Sequence, residues 1–208
     1  MGLINLLFSD PATFVVLSVL LLYSVIFHEL AHGWVAWKMG DSTAKWLGRL
    51  TLNPLRHLDL IGSLMLLIFG FGWAKPVPVN LENIADRRKG LIFVSSAGII
   101  ANICCAFLAL LLYRIAEPGN AGMLEQVINL FARINIMLAA FNLIPIPPLD
   151  GSKILMGLSA APVRRFLQQI EPFGFFIVIG LLYIGALDPL VNFLQSVILL
   201  LIKFILFI

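Results

Sequence analysis

Charge is what this sequence has least of: 12% of its 208 residues are Asp, Glu, Lys or Arg, whereas 61% are hydrophobic and the mean hydropathy is +1.01. A soluble domain carries about a quarter charged residues, so a water-soluble enzyme is excluded and an integral membrane protein is expected. The formal net charge of +3 does not call for nucleic acid, because the basic residues gather in a few short loops where they orient membrane helices. Cysteine is nearly absent too. Cys104 and Cys105 are adjacent in an apolar run, a spacing that suits neither a zinc pair nor a redox motif and leaves core packing as their expected use. The N-terminus has no basic n-region, and no low-complexity tract, internal repeat or soluble extension is present. The expectation is one intramembrane domain over 1–208, with a core at 11–157 and C-terminal helices at 172–208, whose first apolar run is retained and not cleaved.

What is present is a series of long apolar runs, roughly 11–37, 91–113, 126–146, 172–187 and 189–208, with a shorter one at 57–73 interrupted by Gly62, Gly70 and Gly72. Lys38, Lys45, Arg49 and Arg56 follow the first run, Lys75, Arg87, Arg88 and Lys89 precede the second, and Lys153, Arg164 and Arg165 follow the third. The positive-inside rule puts all three loops in the cytoplasm, and the loop at 116–125, with Glu117 and Glu125, outside. That parity holds only if 57–73 enters and leaves on one face, as a re-entrant segment. The fold expected is therefore all-α and polytopic in the cell membrane, with about five transmembrane helices, the N-terminus outside and the C-terminus cytoplasmic. A small β element is expected beside it: Arg49–Asn53 and Pro76–Asn80 alternate as half-buried strands do, the prolines confining the second to an edge. Val77 and Val79 would pair there with an unwound substrate, or the hairpin would merely plug the membrane entrance.

The first run contains His28-Glu29-Leu30-Ala31-His32. On a helix the two imidazoles stand one turn apart on one face, so both can bind one metal ion while Glu29 reaches the remaining coordination site. This is the layout of a zinc hydrolase, in which zinc takes three protein ligands and keeps one position open for water. Ionisable groups inside an apolar helix cost about 2.5–3.5 kcal/mol each on insertion scales, which calls for a partner or a function.

A third ligand must come from elsewhere. After the third run, Pro145, Pro147 and Pro148 prevent a regular helix, and Asp150 follows on a piece expected to be extended, with Gly151 allowing a close approach. Asp150 lies toward the same membrane face as the histidines; His57 and Asp59 are competing ligands. Asn102, one turn after Gly98, and Asn142 are amides inside long runs. Ordinary interhelical hydrogen bonds explain both, and an amide directed at the substrate carbonyl or oxyanion is the sharper alternative.

Taken together, His28-Glu29-x-x-His32, Gly98-x-x-x-Asn102 and Asn142-Leu143-x-Pro145-x-x-Pro148-x-Asp150-Gly151 resemble the site-2 protease family of intramembrane zinc metalloproteases. Gly72–Asn80 looks like the compact prokaryotic branch without PDZ or CBS domains, and the likeness covers about residues 20–157. Ile99 departs from the proline that often follows the glycine in that family. The resemblance implies cleavage of transmembrane protein substrates in the bilayer, one Zn2+ per chain on His28, His32 and Asp150, and Glu29 as catalytic base. Rival readings are a metal or proton transporter using the same polar cluster and a catalytically silent helix-binding relative. Substrate identity and oligomeric state are not legible in the sequence.

Overall fold

The computed structural model describes residues 3–69, 72–116 and 122–207. Among the described residues ten α-helices follow one another: α1 (Leu3–Ser9), α2 (Pro11–Lys38), α3 (Thr43–Trp46), α4 (Leu60–Phe69), α5 (Arg87–Ala116), α6 (Met123–Asn142), α7 (Asp150–Leu158), α8 (Ala161–Ile170), α9 (Gly174–Tyr183) and α10 (Asp188–Leu206). Among the described residues five helical stretches are long and apolar enough to cross a membrane: α2, α5, α6, α10 and the continuous 161–183 piece made of α8, a 3-10 turn and α9. The chain is thus a multi-pass membrane protein. Gly70, Glu117 and Gly119 lie outside the described residues.

The central helix is α5, which packs against α2, α6 and α7. Small side chains let it do so: Ala106 and Ala109 of α5 meet Ala132 and Ala139 of α6, with Ile198 and Ile202 of α10 closing the cluster. In lipid no hydrophobic driving force separates helix from solvent, so close backbone approach through alanine is what holds such a seam. The three prolines stop α6 at Asn142, and the irregular piece that follows is buttressed from behind. Ile144 and Leu149 pack on Val178 of α9 and on Leu187, and a Cβ on Gly174 would stand 2.4 Å from the Pro147 carbonyl oxygen. The C-terminal helices therefore hold the segment that carries Asp150.

Two expectations need correction, one about the 49–83 stretch and one about Asp150. No strand occurs among the described residues. Pro76 and Pro78 offer no N–H, and the donors of Val77 and Asn80 go to side chains, Glu29 Oε2 at 2.7 Å and Asp41 Oδ2 at 2.6 Å, so no ladder forms. Arg49–Asn53 turns instead: Thr51 Oγ1 accepts from the Asn53 amide at 3.2 Å, and Asn53 Oδ1 accepts from the Leu55 amide at 3.1 Å to start a 3-10 turn. The second correction concerns Asp150, which opens α7 and does not lie in extended chain. Leu149, immediately before it, is extended, while 143–148 runs through turns and bends.

Among the described residues of the short run at 57–73 the helix is the 10-residue α4, about 15 Å at 1.5 Å per residue and half the hydrocarbon thickness. Asp59 Oδ1 accepts from the Gly62 amide at 2.8 Å at its start. The two ends of the segment are tied together where the Lys75 amide donates to the His57 carbonyl at 2.8 Å.

Candidate metal centre

The site is assembled from three helices that the sequence separates widely. His28 and His32 project from α2 into a space that α5 leaves open at Gly98, where an added Cβ would lie 2.5 Å from His28 Cε1 and 2.5 Å from His32 Nε2. Ile99 continues the helix and is buried in the α5–α6 cluster. Gly98 is thus a close-packing notch that admits the imidazoles.

Each imidazole is oriented by its Nδ1. His28 Nδ1 donates to Asn102 Oδ1 at 2.6 Å, and His32 Nδ1 donates to the Val94 carbonyl at 2.6 Å. With both Nδ1 atoms protonated, each Nε2 presents a lone pair. These two nitrogens lie 2.9 Å apart, and Asp150 Oδ2 is 3.1 Å from one and 3.0 Å from the other. Asp150 Oδ2 has no hydrogen-bond donor among the described residues. Three acceptor atoms this close repel one another unless a cation lies among them. The edges of the triangle fall slightly inside the roughly 3.3 Å expected between ligands bonded to a tetrahedral zinc at about 2.0 Å, and two imidazoles with one carboxylate suit that metal. The donor set fits zinc.

Behind the histidines stands a fully paired amide network. The Asn102 side-chain NH2 donates to the Ser24 carbonyl at 3.2 Å and to Asn135 Oδ1 at 2.9 Å, and Asn135 donates to Ser24 Oγ at 2.9 Å. Asn102 thus makes ordinary interhelical hydrogen bonds, one of the two readings the sequence left open, and both of its amide hydrogens are engaged. Second-layer bonds of this kind fix tautomer and ring direction. Asn135 escaped the sequence reading although a signal existed: it lies seven residues before Asn142, on the same helix face.

Asp150 is positioned by the seating of α7. Gly151 rides on the backbone after α6, where a Cβ would meet the Leu143 carbonyl oxygen at 2.2 Å. At the other end of α7, Arg88 from α5 donates to the carbonyls of Gly157 at 3.2 Å and Ser159 at 3.1 Å, and Arg164 from α8 donates to those of Met156 at 3.2 Å and Ser159 at 3.1 Å. Cations at a helix C-terminus satisfy its unpaired carbonyls. Lys153 Nζ lies 3.4 Å from Asp150 Oδ1.

A cleft of about 440 Å³ opens on this centre, bordered by Glu29, Val77, Val79, Asn142 and Lys153. Asn142 also donates to the Leu138 carbonyl of its own helix at 3.0 Å. His57 and Asp59 are not part of the centre: His57 Nε2 donates to the Thr51 carbonyl at 2.8 Å, and Asp59 caps α4. Val79 packs its side chain among Ala36, Ile84 and Val94.

The profile of Peptidase family M50 matches residues 111–185, which include Asp150 but not the histidine pair. Three relatives, each named "Putative zinc metalloprotease", extend the likeness. YwhC of Bacillus subtilis is 40% identical over 85% of this chain and 85% of its own length. Rip2 of Mycolicibacterium smegmatis is 33% identical over 80% of this chain and 66% of its own, and MJ0611 of Methanocaldococcus jannaschii is 32% identical over 73% and 77%. No solved structure matches. A relative this similar over most of both chains, together with the buried His-His-Asp triangle, shows that the chain belongs to peptidase family M50, the site-2 protease family of zinc metalloproteases.

Proposed function

We propose that the chain is a zinc-dependent intramembrane endopeptidase that cuts transmembrane segments of protein substrates close to the cytoplasmic face. The observation that carries this reading is the triangle of His28 Nε2, His32 Nε2 and Asp150 Oδ2, 2.9–3.1 Å on its edges, in one cleft with Glu29. His28, His32 and Asp150 would hold one zinc ion per chain, which supplies a Lewis acid that makes water nucleophilic near neutral pH and polarises the scissile carbonyl. Glu29 is the general base. Its Oε2 accepts the Val77 amide at 2.7 Å, which fixes the carboxylate and leaves Oε1 to take the proton of the attacking water and pass it to the leaving amine. Asn142, with one amide hydrogen beyond its bond to Leu138, is the remaining candidate to steady the substrate carbonyl.

A peptide bond inside an intact helix is shielded by its own hydrogen bonds, so the substrate must unwind before attack. Pro76–Asn80 borders the cleft as an extended strap and offers backbone groups to such a segment. Since the donors of Val77 and Asn80 are already engaged, the strap would pair through the Val79 amide and through its carbonyls, Val77 included. The basic loops after α2, before α5 and after α6 support an orientation with the metal centre toward the cytoplasm, α4 re-entrant from that side, the N-terminus outside and the C-terminus inside. Residues 11–157 form the catalytic core of one domain, flanked by the helices of 172–208.

The test joins metal analysis to cleavage of a model transmembrane substrate. Wild type is expected to hold about one zinc per chain and to cut; Glu29→Gln is expected to keep the zinc, because it leaves the three ligands intact, and to lose cleavage by three or more orders of magnitude (~10³ or more, the scale of a lost general base or nucleophile). Zinc-loaded wild type that cuts no helix, with ion flux that persists in Glu29→Gln, would overturn the proposal in favour of a transporter.

A further inference from the structure

A second groove, about 570 Å³, follows the seam of α2 and α5 and shares no lining residue with the metal cleft. Its floor is made by the small residues Ala31, Ala97 and Ala101, and its rims by Trp34, Phe93 and Ile100, each more than half exposed at 53%, 55% and 56%. On a membrane-spanning pair of helices this surface faces acyl chains. From Ala31 the groove runs two turns, about 10 Å, to Lys38 at the end of α2.

The charge at that end meets aromatic rings and, among the described residues, no carboxylate. Lys38 Nζ lies 5.4 Å from the Trp34 ring and 5.0 Å from the Trp37 ring, and Lys45 Nζ lies 4.2 Å from the Trp37 ring. Neither lysine forms an ion pair with a carboxylate among the described residues. Beyond them Trp46 and Leu47 are exposed. Tryptophan and lysine at the end of a spanning helix mark the bilayer interface, where the rings sit at headgroup level. The stacking also holds both flexible ammonium groups within 5.0 Å of one indole centroid, that of Trp37.

An apolar channel of acyl-chain depth that ends at two unpaired cations is complementary to an amphiphile with an anionic head. We infer that the α2–α5 groove is a binding site for an acidic phospholipid, with one acyl chain lying over Ala31, Ala97 and Ala101 and the headgroup phosphate held by Lys38 and Lys45. A zwitterionic lipid fits the channel but places its own cation against the lysines. The site shares α2 and α5 with the metal centre without touching it.

Trp34 and Trp37 make the site observable. The full-length protein is reconstituted in phosphatidylcholine vesicles containing a minor fraction of either brominated phosphatidylglycerol or brominated phosphatidylcholine, and quenching of tryptophan fluorescence is compared. Phosphatidylglycerol is expected to quench as though enriched, by roughly fivefold for each lysine it meets. The preference should disappear in Lys38→Gln/Lys45→Gln and should fall sharply in Ala101→Phe, which fills the channel and leaves the charges in place. Equal quenching by the two lipids would overturn the site, as would a preference that survives the double lysine variant. A preference that Ala101→Phe leaves unchanged and that 0.5 M salt abolishes would reduce it to a diffuse surface attraction. Crosslinks from Cys introduced at Ala97 to a substrate helix, with none to lipid, would give the groove to the substrate instead.

Discussion

The metal centre and the strap that borders it are built in opposite ways. Around His28, His32 and Asp150 each orienting group is a side chain or carbonyl of a packed helix: Asn102 and Val94 from α5, Asn135 from α6, Arg88 and Arg164 on the end of α7. The strap has no secondary structure of its own and is pinned at a few points. Arg49 donates to the Lys75 carbonyl at 2.7 Å, Glu29 accepts Val77, and Asp41 accepts the Asn80 amide and the Asn83 side chain at 2.8 Å. The contrast has a physical reason. Metal ligands must stay within tenths of an ångström, whereas under the proposed function a wall that receives a helix has to yield while the helix unwinds.

This difference is open to being broken, and the largest expected effect comes from the strap. Inserting one residue between Val77 and Val79 shifts the register of the carbonyls and removes either the Glu29 contact or the Asp41 contact. Cleavage should fall about 100-fold, the scale of an ångström-sized misplacement at a reacting centre, while zinc content is unchanged. If zinc is lost together with activity, the two regions form one rigid unit and the comparison fails.

Next comes Asn102→Ala, which strips the acceptor from His28 Nδ1 and leaves Asn135 half paired. Zinc affinity, measured by competition with a chelator, should drop about 10–100-fold, the usual scale for an orienting partner of a histidine ligand. Asn102→Asp, which restores an acceptor, should recover part of it. A role for Asn102 at the substrate oxyanion predicts the reverse: zinc held normally and the cleavage rate alone reduced.

How much of this was legible in the sequence depends on whether the information is local. The pairing of His28 with His32 follows from helical spacing, and the arrival of Asp150 beside them follows from proline-enforced interruption plus the parity of basic loops. Both rest on rules that a single chain carries. The partner of His32 is a backbone carbonyl, Val94, which leaves no mark in residue type. The network of Asn102, Asn135 and Ser24 joins α5, α6 and α2, and which amide meets which ligand depends on the rotation of each helix. The strand expectation failed for a related reason: alternation of valine with proline reads as an edge, but the partner that claimed the Val77 amide was a carboxylate 48 positions earlier in the chain.

The smallest effect sharpens the comparison at the far pin of the strap. Asp41 is enclosed, and its carboxylate collects the amides of Asn80 and Thr43, the Thr43 hydroxyl and the Asn83 side chain. Burial works to raise its pKa, but the hydrogen bonds from Thr43, Asn83 and Asn80 outweigh it and hold the carboxyl below its usual range. A depressed carboxylate pKa means that the ionised form favours the folded state. Its contribution is therefore complete above the unfolded value, near 3.9, and is lost as pH falls through the lower folded value. In Asp41→Asn one acceptor oxygen becomes a donor facing other donors, so faster hydrogen exchange at the Asn80 amide and a modest fall in thermal midpoint are expected at neutral pH. The gap between wild type and variant should begin to narrow below about pH 4 and close only as pH falls through the lower folded value, with zinc affinity the same in both. A gap that stays constant through that range would mean that the charge of Asp41 does not hold the strap, and that the packing of Val79 among Ala36, Ile84 and Val94 pins it instead.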